Sequence, residues 1–143
     1  MTSQPIITVE TKLVPPSDPT LPALAVQVTR LLDSYMLWIG TTDEAAEDVQ
    51  NALLQGHIAR DWACAMPLGN LNVPPAATSL YRSSSSDAAL SMSQRLARRF
   101  KKQIFLSIDL PPGFDSMGQG QKLILAVEKA VVETLREVER AQA

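Results

Sequence analysis

The stretch Ala77–Leu110, ATSLYRSSSSDAALSMSQRLARRFKKQIFLSIDL, reads as strand, capped helix, strand, and the rest of the 143-residue chain is organised around it. Thr78, Leu80 and Tyr81 are strand formers. Ser83–Ser86 then supply hydroxyls that can cap the free amides of a helix, and Asp87 adds a carboxylate where the helix dipole favours one. Between Ser86 and Lys102 the apolar residues Ala89, Met92, Leu96 and Phe100 recur at spacings of three, four and four, which places them on one face, the buried one. Arg95, Arg98, Arg99, Lys101 and Lys102 crowd the last two turns. From Gln103 the period drops to two, with Ile104, Leu106 and Ile108 alternating against Phe105, Ser107 and Asp109, so the helix hands over to a strand.

Upstream, Ala23–Leu32 alternates, with Val26, Val28, Arg30 and Leu32 on one side and Ala25, Gln27, Thr29 and Leu31 on the other. Tyr35–Ile39 is apolar on both faces, and Asp33-Ser34 between the two runs suits a tight turn. The pair is predicted to be a β-hairpin whose second strand lies deep in the sheet. Trp38 is the largest side chain there, fit either for the core or sheet face or for contact with another protein. After Gly40, the sequence Thr41-x-x-Glu44 is a capping box that opens a predicted short helix over Thr42–Gln55. Its front is acidic (Asp43, Glu44, Glu47, Asp48) and its apolar face weak, so a surface insertion is expected. Asp61–Met66 alternates as a strand, and Pro67–Pro75 is a loop.

At the N-terminus, Met1–Pro22 holds five of the ten prolines. Ile6–Val14 is expected as an edge strand and Pro15–Pro22 as an extended linker, because proline donates no hydrogen bond to a ladder. The segment 1–22 would then precede a single domain over 23–143. Downstream, Pro111-Pro112-Gly113 ends the last strand, and Gln121–Gln142 carries Ile124, Val127, Val131, Leu135 and Val138 on one stripe of an amphipathic helix. The expected fold is α+β: a small antiparallel or mixed sheet of five to six strands, two main helices packed on it, and a short inserted helix. The helix after Ser86 joins two strands able to pair. Tyr35–Ile39 and Gln103–Asp109 are the strands apolar enough to recruit a neighbour at a free edge.

Composition narrows the function. Net charge is −2, split as 3 basic and 8 acidic residues in Met1–Tyr81 (−5) against 10 and 7 in Arg82–Ala143 (+3), so the halves present opposite signs to a partner. A single cysteine, Cys64, allows no internal disulfide and fits a reducing compartment. With no leader-like start and no apolar run of membrane length, a cytosolic or nuclear location and no membrane partner are expected. His57, the only histidine, has only Asp61 and Cys64 nearby in sequence. The glycines at 113, 118 and 120 with Lys122 fail the phosphate-loop spacing. No paired carboxylates, ligand cluster or activated nucleophile stands out, so neither catalysis nor a cofactor or metal is expected.

The run SQRLARRFKKQIFLSIDL (93–110), together with LDSYMLWIG (32–40) and ATSL (77–80), resembles the proteasome assembly chaperone 4 family in the order and spacing of its blocks. The resemblance covers about two thirds of the chain; the Pro-rich N-terminus and the residues between Gly40 and Ala63, more numerous than in the family pattern, depart from it. It implies a small sheet-and-helix fold shared by both members of a chaperone pair. It further implies a heterodimer with an assembly chaperone 3 homologue, and binding of a proteasome alpha-type subunit, the fifth, during alpha-ring assembly of the core particle. Such a chaperone leaves before maturation, as beta-type subunits join, and templates assembly by shape and charge without ATP.

The residues offered for partner binding are the basic helix end, Arg95, Arg98, Arg99, Lys101 and Lys102, and two apolar anchors, Trp38 and Phe105. Two other readings stand beside the chaperone. One is nucleic-acid binding by residues 95–102, which thin aromatic interleaving and overall acidity disfavour. The other is a small enzyme using Ser83–Ser86 or His57.

Overall fold

The computed structural model describes residues 7–16, 18–42, 48, 52, 56, 60–67, 72–73, 75–82, 87–110 and 120–142. In chain order the elements are β1 (Thr8–Val14), β2 (Leu24–Leu31), β3 (Ser34–Thr41), β4 (Asp61–Met66), β5 (Ala76–Arg82), α1 (Ala88–Phe100), β6 (Gln103–Asp109) and α2 (Gly120–Gln142). The strands form one mixed sheet ordered β1-β2-β3-β6-β4-β5, antiparallel throughout except for the parallel β3/β6 pair. This is the α+β architecture read from the periodicities.

One face of the sheet carries both helices. Val26 and Val28 of β2, Tyr35, Leu37 and Ile39 of β3, and Ile104, Leu106 and Ile108 of β6 are buried there against Met92 and Leu96 of α1 and Val127, Val131 and Leu135 of α2. Ala63 and Ala65 give β4 only methyl groups on this face, which suits the close seating of α1 across it. The buried stripe of α2 is turned slightly from the expected one. Leu123, Ala130 and Thr134 are buried with Val127, Val131, Leu135 and Val138, while Ile124 is half-buried. Buried Thr134 satisfies its hydroxyl by donating to the Ala130 carbonyl at 2.7 Å, and Ser93 in α1 donates likewise to Leu90 at 2.8 Å.

Several local expectations shift. Leu31 pairs with Ser34, so the hairpin tip is Leu32-Asp33 rather than Asp33-Ser34; Asp33 takes φ 55°, a left-handed value that Asp tolerates. Helix α1 starts at Ala88, and its N-cap Asp87 makes no side-chain cap bond. The Asp87 carboxylate lies 2.8 Å from Arg82 instead. Capping by Ser83–Ser86 falls outside the described residues. At the other end Lys101 takes φ 56° and donates its N–H to the Ala97 carbonyl at 2.9 Å, closing the helix.

Strands β5 and β6 are not neighbours. Strand β4 lies between them, antiparallel to both, so the α1 connection crosses over β4. Tyr35–Ile39 and Gln103–Asp109 therefore sit in the middle of the sheet, and the free edges belong to β1 and β5. A strand apolar on both faces belongs in the interior of a sheet, paired along both edges, and that is where β3 and β6 lie. Of the predicted helix Thr42–Gln55, only Thr42, Asp48 and Ala52 are described, so the helix itself lies outside the described residues.

The link between β1 and β2 is held by Asp18, which accepts the Thr20 N–H at 2.9 Å and the Thr20 hydroxyl at 2.8 Å, with the Lys122 ammonium of α2 at 3.2 Å. These donors, the backbone one first, lower its pKa from 3.8 to about 2. Because the folded value is depressed, the stabilisation is complete above 3.8 and is lost as pH falls through about 2. Lys122→Met is expected to move the Asp18 midpoint upward in a carboxyl NMR titration. An unchanged midpoint would leave Thr20 as the sole cause.

Candidate interaction surface

Strand alternation sends every second residue to the face opposite the helices. Register aligns them in rows across the strands. One row runs Thr29, Met36, Phe105, Cys64; the next runs Gln27, Trp38, Ser107, Trp62; a third begins Ala25, Gly40, Asp109. Among the described residues no helix covers this face. Phe105 is half-buried in the middle of its row, between Met36 and Cys64.

Of the two readings of Trp38, the structure shows the buried one on the sheet face and not the exposed anchor. Trp38 is 3% exposed, packed with Ala25 and Ala52 and flanked by Leu13. A Cβ on Gly40 would lie 2.7 Å from the Trp38 ring and 2.9 Å from the Asp109 carbonyl, and one on Gly56 would lie 2.7 Å from the same ring. The indole thus lies between two glycines, each needed for close approach. Arg60 is tied to the end of β6: its guanidinium is 3.2 Å from the Asp109 carboxylate and donates to the Leu110 carbonyl at 2.9 Å. Ala52 and Gly56 therefore pack on the sheet beside Trp38, whereas Asp48 is exposed.

The buried indole N–H groups of Trp38 and Trp62 have no hydrogen-bond partner among the described residues. Both sit in the row through Ser107. A buried donor left unsatisfied costs about 1–3 kcal/mol, so these two N–H groups are an unusual expense. Sequence reading placed Trp62 on a strand but not in a site. The Trp62, Cys64, Met66 alternation was the available signal, and only the pairing of β4 with β6 sets it beside Phe105 and Trp38.

The structure separates the five cations. Arg95 donates to Glu128 of α2 at 2.7 Å and so ties the two helices together. Arg98 donates to the Val73 carbonyl at 3.3 Å, while Arg99 and Lys101 are exposed. The Lys102 ammonium lies 5.9 Å from the centre of the Tyr35 ring, whose hydroxyl donates to Glu139 at 3.2 Å. They make no single basic stripe of the kind a nucleic-acid backbone requires. His57 and Ser83–Ser86 lie outside the described residues. Among the described residues no group of three or more His, Cys, Asp or Glu side chains is placed to hold a metal, and no helix is long and apolar enough to cross a membrane.

Residues 23–110 match the family described as Proteasome assembly chaperone 4. The chain belongs to that family. Mouse proteasome assembly chaperone 4 is 35% identical over 83 residues, which cover 58% of this chain and 55% of the relative, so the match spans about half the relative's length. The fold also superposes on a chain from the crystal structure of a novel chaperone complex for yeast 20S proteasome assembly. That superposition has a TM-score of 0.63 at 15% identity and covers 92% of this chain and 97% of that one. At such identity the likeness is one of fold. The residues matched to the proteasome assembly chaperone 4 family span β2 to β6 and include α1, hence most of the open face and the basic helix end; β1 and α2 lie outside the match.

Proposed function

We propose that this chain is a proteasome assembly chaperone that works as one half of a heterodimer with an assembly chaperone 3 homologue, the two joined through the open sheet face. The observation that carries this is the apolar row Met36, Phe105, Cys64 beside two buried, unpartnered indole N–H groups, on a face that no described helix covers. A partner sheet laid on this face removes the half-buried row from water. An interface of about 1,200–2,000 Å² is enough for a stable specific pair. The assembled pair then binds a proteasome alpha-type subunit, the fifth in our reading, and promotes closure of the alpha ring by shape and charge. It leaves before maturation. The free thiol of Cys64 accords with work in the reducing cytosol or nucleus.

Co-expression with an assembly chaperone 3 homologue is expected to yield a one-to-one complex that melts higher than the isolated chain, since a partner that binds only the native state stabilises it. Phe105→Glu places a charge at the centre of the face and should weaken the pair by at least ~2 kcal/mol, while changing the melt of the isolated chain far less. A monodisperse monomer that melts identically with and without excess homologue, and never co-elutes with it, overturns the proposal.

A further inference from the structure

One end of the sheet gathers exposed apolar side chains and cations from segments far apart in sequence. Ser34 pairs with Gln103, so the hairpin tip Leu32-Asp33 lies beside the Lys101-Lys102 link that enters β6. Ala65 pairs with Ile104 and Met66 with Ala76, so Met66 leaves β4 at this same end. The Arg98 bond to the Val73 carbonyl draws the residues ahead of β5 against the last turn of α1. Leu32, Met66 and Val73 are 76%, 53% and 44% exposed. Exposed apolar residues scattered singly need no explanation, but three from separate segments at one end of a sheet do.

Dipole compensation explains only part of this end. It covers Arg98 and Arg99 in the last helical turn and Lys101 at the C-cap. It does not explain the apolar side chains. Against the cations stand Asp33 at the tip and Glu139, which accepts the Tyr35 hydroxyl. Exposed apolar side chains interspersed with cations suit a protein–protein interface, whereas a phosphate backbone gains nothing from Leu32, Met66 or Val73.

We infer that this end of the sheet is a second interaction surface, separate from the open face, and that it takes a protein segment presenting carboxylates around an aliphatic or aromatic side chain. The inference rests on the chaperone reading above, in which that segment belongs to the alpha-type subunit. The cations steer the encounter, and the apolar residues hold the complex once formed. Because the two surfaces are distinct, the heterodimer and the subunit complex coexist.

The test uses the co-purified chaperone pair and measures its association with the alpha-type subunit by stopped-flow at low and at physiological salt. Arg98→Glu with Arg99→Glu is expected to slow association roughly tenfold at low salt and to remove most of its salt dependence. Leu32→Ser is expected to raise the dissociation rate several-fold with little change in association. Both variants should keep the chaperone heterodimer and its melt. A parent pair that binds no alpha-type subunit overturns the chaperone reading and the partner assigned here. A parent pair that binds, with variants whose rates match it, overturns this surface alone. Duplex oligonucleotide retained by the parent and lost with the double reversal assigns the cations to nucleic acid and overturns the inference as well.

Discussion

Leu135→Asp is expected to abolish the cooperative thermal transition of the isolated chain. Leu135 is fully buried on α2, in the core that also holds Val26 and Val28 of β2 and Val131 of the same helix. A carboxylate there would sit among apolar side chains, and an uncompensated buried charge costs about 3–5 kcal/mol, to which the lost leucine packing adds. Domains of this size hold only about 5–15 kcal/mol in total, so the variant is left near or below the threshold of folding. Glu137→Gln on the same helix is the control. Its exposed ion pair with Lys12 at 2.7 Å is worth at most about 1 kcal/mol, and its melt should stay near the parent's. Circular dichroism melts of the two variants side by side decide the matter, and a cooperative Leu135→Asp transition close to the parent's would mean that α2 does not pack as described.

Trp38→Ala is expected to cost about 3 kcal/mol, at the lower end for a buried tryptophan. The loss is the packing of the ring between Gly40 and Gly56 and against Ala25 and Ala52. The partial offset is the removal of an indole N–H that has no acceptor among the described residues. At this chain length the shift in Tm should be on the order of 10 °C. Trp38→Phe keeps an aromatic ring and discards the unpartnered donor, so it should retain most of the parent's stability. Equal, small losses for both variants in urea titrations would show that the ring does not bridge the sheet and the residues around Gly56.

These two variants probe parts of the molecule that were unequally legible. The Leu135 face was open to reading because helical period is a local property: Val127, Val131, Leu135 and Val138 repeat as a stripe whatever lies opposite them. The alternation of Ile104, Leu106 and Ile108 with Phe105, Ser107 and Asp109 was legible for the same reason, as was Asp61–Met66, which forms β4 over those residues. The two-faced apolar run Tyr35–Ile39 announced a strand buried on both sides.

Pairing is another matter. Period tells which residues share a face but not which strand lies alongside, and the parallel union of Ser34 with Gln103 joins residues that no local pattern connects. That union makes β3 and β6 the centre of the sheet, sends the edges to β1 and β5, and lines up Met36, Phe105 and Cys64 in one row. The packing of α1 beside α2 sorts the cations, leaving Arg95 against Glu128 and Arg99 exposed, though all five are neighbours in sequence. By itself the sequence determined the two main helices, the central strands with their buried faces, and the family. Only the tertiary structure decided that Trp38 is enclosed while Phe105 lies on the open face, because enclosure depends on Ala52, Gly56 and Arg60 folding back over Asp109, a long-range contact that leaves no period in the chain.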